Sequence, residues 1–275
     1  MMASRAPAVS GTFYPSLPAR LRSDVRGYLE MSRVSPRRVV GLVAPHAGHV
    51  YCGATAGAAF ASAVIPPTCV MLAPHHGAVG TARRAGSVLL ELCYRTPLGD
   101  VPPDDALGPV ILERAGDLLE ENAQAHRLEH SIEALLPFLQ VCAPEVRIVP
   151  ILLGWTDWES AAHLARAIYE AIAGRDDVLI VASSDMNHYE PASVTADKDT
   201  MALDRIIAVD GEGLLSTTAE HHISMCGSVP VACALEVSRL LGKRAGEVVA
   251  YSHSGTVDGR NDRVVGYAAA LIGIG

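Results

Sequence analysis

The hydrophobic residues of this chain are concentrated in short runs that predict six β-strands. Each run is rich in branched aliphatic residues and is apolar throughout, without the alternation of a half-exposed strand. This pattern is typical of strands that are covered on both faces of a sheet. The predicted strands span residues 38–45, 68–74, 146–154, 177–185, 247–255 and 263–273.

Segments that favour helices lie between these strands. Strands that alternate with helices form βαβ units, so the sequence predicts an α/β fold in which helices cover a mostly parallel sheet. The last two predicted strands are joined by the turn-rich segment SGTVDGRND, which contains no helix. They can therefore pair antiparallel, which would make the sheet mixed. The predicted helices span residues 53–64, 131–139, 157–173, 197–209 and 229–241.

The chain shows no sign of a boundary between domains. Its 275 residues approach the upper limit for one hydrophobic core. The Pro-rich segment 96–105 is predicted to be a surface loop ahead of a helix, with Asp104 or Asp105 as its N-cap. No linker rich in Pro, Gly or Ser divides the sequence, so we expect a single domain over residues 1–275.

Composition and charge narrow the classes of function. Hydrophobic residues make up 49% of the chain and charged residues 19%, which excludes a largely disordered protein. The 22 Lys and Arg against 30 Asp and Glu give a net charge of −8, the wrong sign for binding nucleic-acid phosphates. The sequence shows no secretion signal and no apolar run of about 20 residues, and its six cysteines form no CxxC pair. We therefore expect a cytoplasmic protein with free thiols that binds neither nucleic acid nor a membrane.

Residues with acid, base or ligand chemistry follow three of the predicted strands. His46 ends the first strand, His75 and His76 follow the second, and Asp185 and His188 follow the fourth. In open α/β sheets the ligand crevice lies at the carboxyl ends of the strands. A single histidine in such a loop is more often a surface residue, but three strands with the same feature predict a functional cleft.

Cys226 lies where the segment ISMCGSVP enters a predicted helix. A helix N-terminus lowers the pKa of a thiol, so Cys226 is a candidate nucleophile or metal ligand. The alternative is a small buried apolar residue. That alternative is our expectation for the cysteines within apolar segments, namely Cys52, Cys69, Cys93, Cys142 and Cys233.

Two further groups of polar residues are candidates for supporting roles. Ser131 is predicted to cap a helix, and its neighbours Glu129 and His130 could hold the site residues in position without binding the metal themselves. Asp185 and His188 are three residues apart, so on a helical turn the carboxylate could orient the imidazole; the alternative is that Asp185 is only a cap. The other histidines, His49, His126, His163, His221, His222 and His253, are expected to be solvated or structural. Neither GxGxxG after the first strand nor GxxxxGK[ST] occurs, so nothing supports nucleotide binding.

Six segments in fixed order resemble the Memo family, of the type found as protein B of the AmmeMemoRadiSam system. The matching segments cover nearly the whole chain, and together they are far more specific than any one alone. They are SGTFYP (10–15), APHAGHVYCG (44–53), LAPHHG (72–77), EHSIEALLPFL (129–139), SSDMNHY (183–189) and CGSVP (226–230).

The Memo family is similar in fold to the catalytic subunits of class III extradiol dioxygenases, non-haem iron enzymes that open catechol-type rings. The resemblance implies a three-layer α/β/α sandwich with one metal site at the strand ends. It implies that His46, His76 and Cys226 hold the metal, Fe(II) first and Cu or Zn as alternatives. It also implies that His188, with Asp185 beside it, is the acid/base group.

One position departs from the dioxygenase pattern. The third ligand of those enzymes is a carboxylate, whereas the match here is a thiol, which is softer and can be oxidised by the oxygen it would help to activate. Ring opening of a catechol is therefore in doubt. His75 occupies a position where relatives often have Asn or Ser, so the ligand is assigned to His76.

Three functions remain open. The first is a metal-dependent oxidoreductase in which His188 moves protons, since an imidazole exchanges protons near neutral pH. The second is a thiol hydrolase with Cys226 as nucleophile, His188 as base and Asp185 orienting it. The third is a binding or scaffold protein that holds a small molecule or peptide in the strand-end cleft. The resemblance also implies pathway partners, a radical SAM protein and an AMMECR1-like protein.

Overall fold

A computed structural model describes residues 2–78, 86–154 and 157–274. Its strands are β1 Ser4–Arg5, β2 Gly41–Ala44, β3 Thr68–Pro74, β4 Gly86–Val88, β5 Cys93–Thr96, β6 Gly99–Val101, β7 Leu119–Glu121, β8 Arg147–Leu153, β9 Val178–Ser183, β10 His188–Glu190, β11 Gly246–His253 and β12 Val264–Ile272. Its α-helices are α1 Pro18–Glu30, α2 His49–Ala61, α3 Leu107–Ala115, α4 Ala123–His126, α5 Leu136–Cys142, α6 Trp158–Ile172, α7 Ala192–Ile207, α8 Gly211–Glu220, α9 Ser228–Leu240 and α10 Gly255–Asp258. Short 3-10 turns occur at His76–Ala78, Gly116–Leu118 and Glu133–Leu135.

The core of the fold is a large mixed sheet. Its strand order within the described ranges is β10-β12-β2-β9-β3-β8-β4-β7, with β11 paired to β12. The four central strands β2, β9, β3 and β8 are parallel to one another. At one side β12 runs antiparallel to β2, and β11 runs antiparallel to β12. This arrangement confirms the predicted α/β class and the antiparallel pairing of the last two predicted strands.

Helices cover both faces of the sheet, as continuous apolar strands require. Alternate residues of each central strand face opposite sides: in β3, Val70 and Leu72 belong to one buried cluster, whereas Cys69 and Met71 belong to the other. Helices α3, α6, α7, α8 and α9 contribute to the first cluster, and α1, α2 and α5 contribute to the second. The apolar runs are therefore strands between two layers of helices.

The predicted strands agree with the observed ones to within three residues at each end, and β3 has the predicted bounds. Helices α1, α4, α8 and α10 and a small sheet of order β1-β5-β6 were not predicted, and α10 lies in the segment SGTVDGRND, which was expected to hold no helix. The prediction of a loop over 96–105 was wrong in part, because β6 pairs there with β5. Asp104 is the predicted cap: its Oδ1 accepts a hydrogen bond of 2.8 Å from the Leu107 amide.

The parallel strands β2, β3 and β9 bring their carboxyl ends to one edge of the sheet. His46, His76 and Asp185 each lie two residues beyond the end of one of these strands. Equal distances past neighbouring parallel strands place these side chains at one level along the edge. None of the described helices is long and apolar enough to cross a membrane.

Candidate metal centre

A cleft of about 620 Å³ lies at this edge of the sheet. All of the predicted ligands and acid/base residues line it, together with the aromatic rings of Phe13, Tyr189 and Tyr267. These are the predicted ligands His46, His76 and Cys226 and the predicted acid/base residues Asp185 and His188; His130, which was predicted to support the site, lines the cleft as well. A cleft of similar size, about 660 Å³, lies at the amino ends of the strands, where none of these six residues lines it.

Three imidazoles lie close together in the cleft. One ring nitrogen from each of His46, His76 and His130 lies within 4.8 Å of the other two, a group that could hold a metal ion. The rings of His76 and His130 are stacked with centroids 4.7 Å apart, and the ring of His46 stands nearly perpendicular to both. His130 was predicted to support the site from outside, but its ring lies directly beside the two predicted ligands.

Hydrogen bonds determine the tautomer of His46. The Ser183 hydroxyl donates its proton to the Ser131 carbonyl at 2.6 Å, so its oxygen accepts from His46 Nδ1 at 2.7 Å. Nδ1 therefore carries the proton and Nε2 keeps its lone pair. Burial, followed by the charge of His76, holds the pKa of His46 well below 6.5. His46 is thus a neutral imidazole near pH 7, the form that binds metal.

His76 is oriented by a carboxylate. Its Nδ1 donates to Glu129 Oε1 at 2.9 Å, and its main-chain amide donates to Glu129 Oε2 at 2.7 Å. Burial lowers the pKa of His76, but the hydrogen bond and charge of Glu129 outweigh burial, so the pKa is raised. The same contacts outweigh the effect of burial on Glu129 and hold its pKa well below its usual range. A carboxylate–histidine pair of this kind is the usual support of a metal-binding imidazole.

The segment that carries Glu129 and His130 is anchored by a buried ion pair. Arg5 and Glu133 form this pair, with side chains 3% and 0% exposed. Arg5 also donates to the main-chain carbonyl of Glu129. Phe13, from the same N-terminal segment, packs edge-on against the His130 ring with centroids 4.9 Å apart. The N-terminal segment therefore helps to hold one wall of the cleft.

Cys226 lies beside His46 but outside the group of three imidazoles. Its Sγ is 3.4 Å from His46 Nε2 and accepts a hydrogen bond of 3.3 Å from the Asp185 amide. Gly227 allows this approach, because a Cβ there would lie 2.2 Å from the Ser183 carbonyl oxygen. Burial, followed by the charge of Asp185, raises the pKa of the Cys226 thiol. The predicted lowering of this pKa was wrong, since burial outweighs the hydrogen bonds that would lower it.

The predicted pairing of Asp185 with His188 is wrong in its geometry. The segment between them is not helical, and Asp185 Oδ1 accepts from the main-chain amides of His46 at 2.8 Å and Ala47 at 3.3 Å. His188 Nδ1 instead donates to the Ser224 carbonyl at 2.7 Å. Asp185 therefore holds the backbone that presents His46, and burial raises its own pKa.

The sequence pointed to segments that the structure brings together at the cleft, but it missed several residues that bond to them. Ser183 and Asn187 lie within the recognised segment SSDMNHY, yet nothing in its spacing indicates what their side chains contact. Ser131 was expected to cap a helix, but its hydroxyl donates to the Pro74 carbonyl. Arg5 pairs with Glu133 across 128 positions of sequence, and no local pattern reports such a contact. Of the remaining histidines, His126 is structural, because its Nδ1 bonds to the Tyr94 hydroxyl at 2.7 Å.

Comparison with known proteins identifies the family. The sequence model of the Memo-like protein family matches residues 5–271. A MEMO1 family protein of Ignicoccus hospitalis is 37% identical over 284 residues, and one of Desulfurococcus amylolyticus is 36% identical over 283 residues; each match covers 98% of both chains. A crystal structure of an uncharacterized Escherichia coli K12 protein superposes with a TM-score of 0.54 at 14% identity, over 86% of this chain and 100% of that one, which supports the fold alone. Sequence and relatives agree along nearly the whole length, and this chain belongs to the Memo family.

Proposed function

We propose that this protein is a metal-dependent oxidoreductase with one metal ion in the strand-end cleft. His46, His76 and Cys226 hold the metal, and His188 moves protons. The observation that carries the proposal is the arrangement around His46. Its ring is neutral, its Nδ1 donates a hydrogen bond to Ser183, and its Nε2 lies 3.4 Å from the Cys226 sulfur. Fe(II) is the proposed metal, and copper or zinc are the alternatives.

The distance between the two candidate ligand atoms supports the proposal. Bonds of about 2.0 Å to nitrogen and about 2.3 Å to sulfur, at a tetrahedral angle, place the two atoms about 3.5 Å apart. His46 Nε2 and Cys226 Sγ are 3.4 Å apart. His76 supplies a second imidazole whose Nδ1 is already held by Glu129. His130 competes with Cys226 as third ligand, because its ring nitrogen lies within 4.8 Å of those of His46 and His76.

The remaining residues have separate roles. A bound iron or copper ion would supply electron transfer and activation of oxygen. His188 donates a hydrogen bond from Nδ1 to the Ser224 carbonyl, so its Nε2 is the nitrogen that accepts or returns a proton at the cleft. Asp185 holds the His46 backbone, and Phe13 and Tyr267 limit the entry of water along the cleft wall.

A thiol hydrolase has less support. Its nucleophile needs a lowered pKa, whereas burial raises the pKa of Cys226, and His188 is tied to Ser224. The hydrolase also leaves His76 and His130 without a role. The scaffold function, the ligand in the cleft, the radical SAM and AMMECR1-like partners and the cytoplasmic location stay predictions.

Metal analysis tests the proposal. Protein purified anaerobically without chelator is analysed by mass spectrometry beside His46→Ala, Cys226→Ser and His130→Ala. We expect about one iron or copper per chain in the wild type and none in His46→Ala. His163→Ala is the matched control, since His163 is exposed on α6 and should leave the metal content unchanged.

The other two variants identify the third ligand. Loss of metal in Cys226→Ser but not in His130→Ala supports the proposed set, and the reverse result replaces Cys226 by His130. Wild-type protein that contains no metal and cannot be loaded would overturn the proposal. Retention of metal in folded His46→Ala would do the same.

A further inference from the structure

Ser224 accepts both of the hydrogen bonds that His188 donates. The main-chain amide of His188 donates to Ser224 Oγ at 2.8 Å, and its Nδ1 donates to the Ser224 carbonyl at 2.7 Å. Ser224 is exposed and lies in the connection between α8 and α9. The orientation of the His188 ring therefore depends on what holds this exposed connection in place.

Asn187 holds Ser224. Its Oδ1 accepts hydrogen bonds from the Ser224 amide at 3.0 Å and from the Ser224 hydroxyl at 3.1 Å. Asn187 is fully buried although its neighbour His188 is only half-buried. A buried side chain thus fixes the exposed residue on which the His188 ring depends.

The other polar groups of Asn187 are also engaged. Its Nδ2 donates to Glu190 Oε2 at 2.7 Å, its amide donates to Asp199 Oδ1 at 2.8 Å, and its carbonyl accepts from Gly266 at 2.9 Å. The side chain can point only one way, since an amide N–H donates and a carboxylate accepts. An aspartate at this position could not donate to Glu190, and the two carboxylates would repel each other. The hydrogen bonds therefore require an asparagine.

The backbone next to His188 also indicates that tertiary contacts hold this loop. Tyr189 has a φ of +63°, in the left-handed region that non-glycine residues rarely occupy. Such a conformation costs about 1 kcal/mol or more and persists only where the surroundings determine it. Tyr189 itself is 63% exposed, so the buried contacts that determine this conformation come from its neighbours, Asn187 among them.

We infer that Asn187 is a positioning residue that acts through Ser224 to fix the tautomer of His188, with Nδ1 protonated and the Nε2 lone pair facing the cleft. Asn187 is absent from the lining of the cleft, so its effect passes through Ser224 and the His188 ring. The importance of this tautomer rests on the proposed function, in which His188 moves protons.

The tautomer can be measured directly. Nitrogen-15 NMR of histidine-labelled protein at neutral pH distinguishes protonated from unprotonated ring nitrogens, and His188→Gln assigns the signals. We expect the Nδ1–H form in the wild type. In Asn187→Ala the Nε2–H form, which an unconstrained side chain prefers, should become the major one. Asn261→Ala, at an exposed asparagine, should keep the wild-type tautomer.

Substitutions at Ser224 keep the test decisive if Asn187→Ala does not fold. Ser224→Ala changes an exposed residue, removes the hydroxyl but leaves the carbonyl, and should give a mixture of the two tautomers. Ser224→Thr restores the hydroxyl and should restore the Nδ1–H form. If folded Asn187→Ala or Ser224→Ala keeps the Nδ1–H form alone, or if the wild type is Nε2–H, the inference is wrong.

The metal content of the same samples separates this inference from the proposed function. We expect Asn187→Ala to bind as much metal as the wild type, because Asn187 contacts none of the proposed ligands in the hydrogen bonds described. If the wild type binds no metal, the proposed function is wrong, but the result on the His188 tautomer is unaffected. If the protein binds metal and Asn187→Ala does not change the His188 tautomer, only this inference is wrong.

Discussion

The two sides of the cleft hold their imidazoles in different ways. On the ligand side, His46 and His76 bond to the side chains of Ser183 and Glu129. On the opposite side, His188 bonds to main-chain and side-chain atoms of Ser224. Ser183 and Glu129, the partners on the ligand side, are buried, whereas Ser224 is exposed.

Each side also depends on a buried carboxylate, and their surroundings differ. Glu133, beneath the ligand side, accepts from Arg5, from the Ala8 and Val9 amides and from the Tyr14 hydroxyl. Asp199, beneath the His188 loop, accepts from the Asn187 amide and the Tyr251 hydroxyl, both neutral. Burial raises the pKa of Asp199 to about 6. A carboxylate paired with arginine anchors one side, whereas the carboxylate beneath the other side lacks a cationic partner among its hydrogen bonds and is expected to make that side sensitive to pH.

The largest expected effect comes from breaking the anchor of the ligand side. Glu133→Gln keeps the shape but turns amide N–H groups toward two of the four donors and leaves Arg5 without a counter-charge. Breaking one half of a buried ion pair costs about 3–5 kcal/mol. We expect a decrease of that size in the free energy of unfolding, measured by denaturant titration.

An exposed ion pair provides the control for this change. Arg20 and Asp24 are paired four residues apart on α1 at 2.8 Å. Such pairs contribute about 0.5 kcal/mol or less, so Asp24→Asn should leave stability nearly unchanged. Equal losses from the two variants would show that Glu133 is not an anchor.

The next largest effect concerns pH and the opposite side of the cleft. The pKa of Asp199 is about 6 in the folded protein, whereas an unfolded aspartate titrates near 3.9. The folded state binds this proton more tightly, so the contribution of Asp199 to stability falls as pH rises from about 4 to 6 and is constant above that. Asp199→Asn should abolish this fall, which amounts to about 2–3 kcal/mol, in unfolding titrations across the same pH range.

Asp204→Asn is the matched control, because Asp204 is exposed on the same helix, α7. It should keep the wild-type dependence on pH. If Asp199→Asn also keeps that dependence, the carboxylate is already ionised in the folded protein and the contrast between the two sides disappears.

The smallest effect is expected from the hydroxyl that selects the His46 tautomer. Ser183→Ala removes the acceptor of the Nδ1 proton and leaves His46 itself in place. Loss of such a support typically weakens metal binding about 10–100-fold. Competition with a chelator of known affinity measures this change. Ser62→Ala, which removes a buried hydroxyl bonded to the Ala58 carbonyl on α2, should leave the affinity unchanged.

Much of the fold was predictable because its signals are local. Apolar runs reported β3, β8 and β9 to within two residues at each end, since buried parallel strands have no polar face. Helix α1 was missed because only Leu21 and Val25 are buried along it, too few for a clear pattern. The small sheet β1-β5-β6 was missed because its strands are two to four residues long.

The sequence by itself determined the family, the sheet and the edge at which His46, His76, Asp185, His188 and Cys226 meet. The sheet and its edge follow from the strand pattern and from residues just past strand ends, whereas the family and the place of Cys226 in the site follow from the motifs that resemble the Memo family. Only the tertiary structure decided which groups contact one another. Asp185 accepts a hydrogen bond from the His46 amide, the Ser224 carbonyl accepts one from His188, and His130 lies beside His46 and His76. A hydrogen bond forms only if donor and acceptor are placed to within a few tenths of an ångström. When the two groups are far apart in the chain, no local sequence pattern indicates that placement.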